Sequence, residues 1–221
     1  MFNMTNFKKY LAELVGTFTL VLIGAGTVIA NFASRGKVGL LGIALAFGFV
    51  VMVMVYVFGR ISGAHLNPAV TIALFLKKKI NFQDSVLYVI FQNLGAVLAG
   101  LVLLFSFGSS DLVAQGVTVL GENISLFQGV AIESFLTFFL MMAILSFVDQ
   151  ESEIIIGAAV IGVTISMDIL FGGVLTGASM NPARTFGPAL VAGVWNNHWI
   201  YWVGPILGAA VAVCISKIWK K

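Results

Sequence analysis

The chain has 221 residues, of which 60% are hydrophobic and only 10% are charged. Soluble domains carry about 25% charged and about 45–50% apolar residues. No soluble fold of this size can hide such an apolar excess, so it must face lipid. The net charge of +3 does not mark a nucleic-acid binder, because the basic residues sit at segment ends, which is a pattern of membrane topology. The single cysteine, Cys214, excludes an intrachain disulfide and a cysteine-based metal site.

A helix crosses the roughly 30 Å hydrocarbon core with about 20 apolar residues. Charge-poor runs of that length occur six times in chain order: residues 10–30, 38–59, 85–107, 123–148, 154–171 and 199–216. The first contains only Glu13, the fourth only Glu133 and the fifth only Asp168. The first run is too long for a cleavable signal peptide and lacks a small-residue cleavage site. Two more apolar runs, residues 66–76 and 180–191, are too short to span. Each opens on Asn-Pro-Ala, and proline in the first turn starts a helix. They read as half-helices that enter the membrane and turn back, which is possible only where the broken backbone is buried in protein or lines a wet cavity.

Lysine and arginine positions set the orientation. With a cytoplasmic N-terminus, the inner set is Lys8, Lys9, Arg60, Lys77, Lys78, Lys79, Lys217, Lys220 and Lys221. The outer set is Arg35 and Lys37. Both termini are expected inside, in a multi-pass protein of the cell membrane.

The halves repeat one another. Residues 13–20 and 133–140 both fit E-x-x-x-T-F-x-L, and residues 62–71 and 176–185 both fit [ST]-G-A-x-x-N-P-A-x-T. Three spans per half place the second copy upside down, so the repeat is inverted about an axis in the membrane plane. The two half-helices then enter from opposite faces, and Asn67 and Asn181 meet near the midplane.

These motifs resemble the aquaporin (major intrinsic protein) family over essentially the whole chain. The resemblance implies an all-α membrane fold of six transmembrane helices plus two re-entrant half-helices. It implies one channel domain over residues 1–221, with inverted repeats at about 8–107 and 123–219, and a homotetramer with a pore in each subunit. Water and small neutral solutes are the expected partners, with no cofactor and no metal. The boxes Asn67-Pro68-Ala69 and Asn181-Pro182-Ala183 are expected at the centre of the pore. There each asparagine oxygen caps its helix, while the amide NH₂ groups bind passing water. The two helix N-termini add about half a positive charge each and repel cations and protons.

Carried over by spacing from the boxes, the family's selectivity filter falls on Phe47, Ile169, Ala178 and Arg184. Strict water channels usually carry histidine where Ile169 stands. The filter is therefore expected to be wider and more amphipathic, with some passage of glycerol or ammonia. Thr185 after the arginine, and the pair Tyr201-Trp202, pull back toward water. An ion pair with Asp168 is the alternative role for Arg184. His65 is expected along the cytoplasmic half of the pore. Glu13 and Glu133, costly inside a membrane, are expected to accept hydrogen bonds from the re-entrant loops. His198, Trp199, Tyr201 and Trp202 are read as an outer aromatic belt. Asp168 has three open roles: a partner of Arg184, a contact to a neighbouring subunit, or a group reaching the interface.

Four other readings compete. An enzyme is not expected, since no metal cluster, nucleophile triad or phosphate loop is recognisable. A facilitator of glycerol or other small solutes, with water secondary, is the alternative within the same family. A coupled transporter shares inverted repeats and broken helices but needs ionisable groups at the midplane, where this sequence has two neutral asparagines. A membrane adhesion protein would need larger outer loops than residues 31–37 and 108–122.

Overall fold

The computed structural model describes residues 4–150 and 153–218; Lys220 and Lys221 lie outside them. The described residues form helices and no strands. In chain order these are α1 (Met4–Ala33), α2 (Gly39–Ser62), α3 (Pro68–Leu76), α4 (Phe82–Phe107), α5 (Ser110–Ala114), α6 (Leu126–Gln150), α7 (Ile154–Thr176), α8 (Pro182–Ala192) and α9 (Ile200–Ser216). Helices α1, α2, α4, α6 and α7 are long and apolar enough to cross a membrane. At 17 residues α9 is at the lower limit of a spanning length, and Pro205 lies inside it. The expected spans are all present as helices, several of them a turn longer than the charge-poor runs that announced them. The short α5, between the halves, was not expected.

The helices pair as an inverted repeat requires. Helix α1 packs on α2 and α4, and α6 packs on α7 and α9. Helix α2 meets α7 across the repeat. Each half-helix lies against the last span of the other half, α3 against α9 and α8 against α4. The crossings are close because glycine stands at matching places. A methyl at Gly95 would collide with the carbonyl oxygen of Leu14, and one at Gly208 with that of Ser134.

The outer faces are apolar; Phe105, Phe127 and Val174 are among the most exposed side chains. Lipid offers no hydrogen bonds, so hydroxyls on exposed faces turn back to their own helix. Thr19, Thr27, Ser106 and Thr164 each donate to the carbonyl four residues earlier, at 2.7–2.9 Å.

Helices α2 and α7 end alike. Gly63 (φ 87) and Gly177 (φ 81) adopt the left-handed conformation, and their N–H groups return to Gly59 and Gly173. That stop frees the next four residues in each half to run back into the membrane as a loop. Asn67 and Asn181 then cap α3 and α8, with Pro68 and Pro182 in the first turn.

Candidate pore

The two re-entrant loops hold an unfavourable backbone shape. Ala64 and Leu66 in one loop, and Ala178 and Met180 in the other, have φ of 47, 51, 44 and 53. A non-glycine residue in this region costs of order 1–3 kcal/mol. Two fully buried acids hold the loops there. Glu13 accepts hydrogen bonds from His65 N (2.9 Å), Leu66 N (2.7 Å), Ser62 Oγ (2.6 Å) and Gln92 Nε2 (2.8 Å). Glu133 accepts from Ser179 N (2.9 Å), Met180 N (2.8 Å) and Thr176 Oγ1 (2.7 Å). Behind them Tyr88 and Tyr201 donate to the carbonyls of Ser62 and Thr176, each at 2.8 Å.

Asn67 Oδ1 accepts from Ala69 N at 2.8 Å, and Asn181 Oδ1 accepts from Ala183 N at 3.0 Å and Arg184 N at 3.3 Å. The amide groups do more than face inward. Asn67 Nδ2 donates to the Met180 carbonyl at 2.7 Å, and Asn181 Nδ2 donates to the Leu66 carbonyl at 2.8 Å. Each asparagine thus spends one N–H on the opposite loop. An amide has two N–H donors, so one remains on each.

Both asparagines line a cavity of about 70 Å³ that also touches His65, Leu66, Met180, Phe47, Ile169, Ala178 and Arg184. It has room for on the order of five waters. A second cavity of about 260 Å³ lies beyond, walled by Val28, Leu40, Ile43 and residues of the 115–121 segment. Phe47, Ile169 and Arg184 border both cavities and so form the neck between them, with Ala178 on the inner side.

Arg184 is 3% exposed. Its Nη1 donates to the Gly116 carbonyl at 2.7 Å, and its guanidinium carbon lies 5.0 Å from the Phe47 ring centroid, within cation–π range. Its Nε has no partner. Among the described residues no ion pair joins Arg184 to Asp168. Asp168 is 6% exposed, and its Oδ2 is buried without a hydrogen bond. It therefore neither reaches the interface nor presents itself to a neighbouring subunit, and it borders neither cavity.

Proton counting assigns further donors. Thr71 Oγ1 donates its only proton to the Asn67 carbonyl (3.0 Å). Hence His65 Nδ1, 3.1 Å away, must be the donor to Thr71, and Nε2 is left as an acceptor. In the other half, Ser179 Oγ donates to the Asn181 carbonyl (2.9 Å). Thr185 therefore donates to Ser179, and Thr118 to Thr185, each at 2.6 Å. This one-way hydroxyl chain ties the 115–121 segment, and with it the Gly116 carbonyl that holds Arg184, to the box of α8. Tyr201 is fully buried and leaves the expected belt. Trp199 is exposed, and Trp202 Nε1 donates to His198 Nε2 at 3.2 Å.

The family model described as major intrinsic protein matches residues 1–216. The chain belongs to the major intrinsic protein family. Aquaporin-4 of Mus musculus is 41% identical over 209 residues, covering 93% of this chain and 65% of the mouse protein. Aquaporin TIP4-4 of Zea mays is 43% identical over 214 residues, covering 93% of this chain and 83% of the maize protein. This major intrinsic protein thus spans 65% of the length of its mouse relative. The X-ray structure of an aquaglyceroporin from Plasmodium falciparum aligns with a TM-score of 0.86 at 26% identity, over 95% of each chain.

Sequence reasoning missed Gln92, Thr118 and the Gly116 carbonyl in this major intrinsic protein, because each acts on a residue far away in the chain. Thr71 and Thr185 were visible as the last letter of the repeated box motif, a signal that carried no structural role until the hydroxyls were placed; by sequence Thr185 reads only as a mark of water preference.

Proposed function

We propose that the protein is a passive water channel. The observation that carries this reading is the pair of asparagine amides at the junction of two half-helix N-termini. Each keeps one N–H for the cavity after spending the other on the opposite loop. A water passing there turns its oxygen to these donors, which interrupts its hydrogen-bonded file. The two dipole ends add about half a positive charge each, and protons and cations meet a barrier. Arg184 supplies a second positive site at the neck.

Within this reading Phe47, Ile169, Ala178 and Arg184 are the selectivity filter, His65 lines the inner half, and Glu13 and Glu133 shape the loops. The working unit is a homotetramer in the cell membrane with both termini cytoplasmic, one channel domain per chain. No cofactor enters this mechanism.

A facilitator of glycerol or similar solutes is the second reading. It is favoured by the neck, where one donor corner at Arg184 faces three apolar walls. A solute with hydroxyls on one edge and C–H groups on the other suits such a wall. Reconstitution into liposomes separates the two: fast osmotic shrinkage with slow glycerol entry supports the water channel, and fast entry of both supports the facilitator. Shrinkage no faster than that of empty liposomes would overturn both.

A further inference from the structure

The half of the cavity remote from Arg184 has a wall of a different kind. Beyond His65 it is lined by Val55 of α2, Leu74 of α3 and a stripe of α6, Leu140, Ile144, Phe147 and Val148. The α6 residues recur at helical spacing, so one face of that helix looks into the tube. None of these side chains carries a polar atom. At the other end the neck opens on a 260 Å³ space that Gln115, Thr118 and Arg184 make partly polar. Here the polar lining stops at His65 and its loop.

Phe147 is the bulkiest member of the stripe, and a gap in the helix behind it sets its place. Gly157 of α7 has no side chain. A methyl there would run into Phe147 Cδ2 and lie 2.6 Å from Cε2 and Cγ. The ring therefore rests in a notch that only glycine leaves open. Any side chain at 157 would push the ring out of it, and the cavity is the open space it already borders.

We propose that Phe147, seated in the Gly157 notch, forms a second selective neck in series with the one at Arg184. An apolar ring offers no hydrogen bonds to a solute passing it, and such constrictions resist wetting. Water crosses with bonds to the waters ahead and behind. A polyol must strip several hydroxyls at once, at a cost that rises with each unpaired group. Phe147 thus screens neutral polar solutes even where Ile169 and Ala178 relax the first neck. This inference rests on the pore reading above.

The test is permeability of the full-length protein in liposomes, normalised to reconstituted protein. Gly157→Ala is expected to lower water permeability by about fivefold or more, because the ring moves into the path. Phe147→Ala is expected to raise glycerol uptake several-fold with water flux kept. The double variant Gly157→Ala/Phe147→Ala is expected to return water flux to the wild-type level, since the added methyl then meets no ring. A double variant as slow as Gly157→Ala alone would trace the loss to misfolding and overturn the proposal. So would a Gly157→Ala channel as fast as the wild type, or unchanged glycerol entry in Phe147→Ala. A wild type that fails to conduct water would instead overturn the channel reading itself.

Discussion

The two halves share a frame and differ in what reinforces it. Each has a buried acid, a left-handed glycine, a capping asparagine, and a tyrosine bonded behind the loop. In the first half the reinforcement is internal. Gln92 of α4 donates both to Glu13 and to Thr71. In the second half Pro205 stands in the place that corresponds to Gln92, as the matched pairs Tyr88/Tyr201 and Gly95/Gly208 show. Glu133 has one donor fewer. The support comes instead from outside the half, through Thr118 of the segment that joins the two. Even the carbonyl of the capping asparagine is served differently, by Thr71 in one half and by Ser179 in the other. Inversion symmetry fixes where the backbone goes. It leaves the chemistry free to differ, and Arg184, the one buried lysine or arginine among the described residues, sits where the first half has Val70.

The largest expected effect tests the missing donor. Glu133→Gln replaces one acceptor oxygen by an NH₂ group that must face either the Met180 or the Ser179 backbone N–H, with no side-chain amide beside it to turn over. A buried donor left unpaired costs about 1–3 kcal/mol, so a loss of about 2–3 kcal/mol is expected, seen as a lower unfolding temperature in detergent. Glu13→Gln should be milder, because the Gln92 amide can turn over and offer Oε1, which now has no partner. Equal losses in the two variants would erase the distinction.

Next comes the charge. Arg184→Val makes position 184 match its first-half counterpart, Val70. Glycerol uptake is expected to rise on the order of tenfold, equivalent to about 1.4 kcal/mol off the barrier, and proton exclusion to weaken, read by a pH dye inside the liposomes. An unchanged solute profile would remove Arg184 from the filter.

The smallest effect tests the borrowed support. Thr118→Val breaks one hydroxyl link and should cost about 1 kcal/mol, with a modest rise in solute entry as the Gly116 carbonyl loosens its hold on Arg184. Thr118→Ser keeps the link and should behave as wild type. If Val and Ser variants were alike, the hydroxyl chain would be incidental.

Much of the fold was legible because lipid simplifies the code. Spans show as long uncharged runs, and the inverted repeat shows as paired letters such as Glu13 and Glu133. The box residues were readable for the same reason, since an Asn-Pro pair in an apolar run has few explanations. What stayed hidden depends on contacts between distant segments. Thr118 looks like any loop threonine until α8 is laid beside it. Tyr201 read as an interfacial aromatic because it neighbours Trp199 and Trp202, but its helical position turns it a third of the way round, into the core. Asp168 offered three roles by sequence; burial removed two and the absent ion pair removed the third, and nothing in the structure explains why an acid is there.

The crossed bonds from Asn67 to the Met180 carbonyl and from Asn181 to the Leu66 carbonyl bear on how the molecule moves. They fasten the two halves together at the point about which inverted-repeat transporters rock to expose a site first to one side and then to the other. Hydrogen bonds at that point resist such rocking. On the water-channel reading, throughput is then set by the rate at which water diffuses in file rather than by a conformational cycle, and flux should vary with temperature about as weakly as the mobility of water itself.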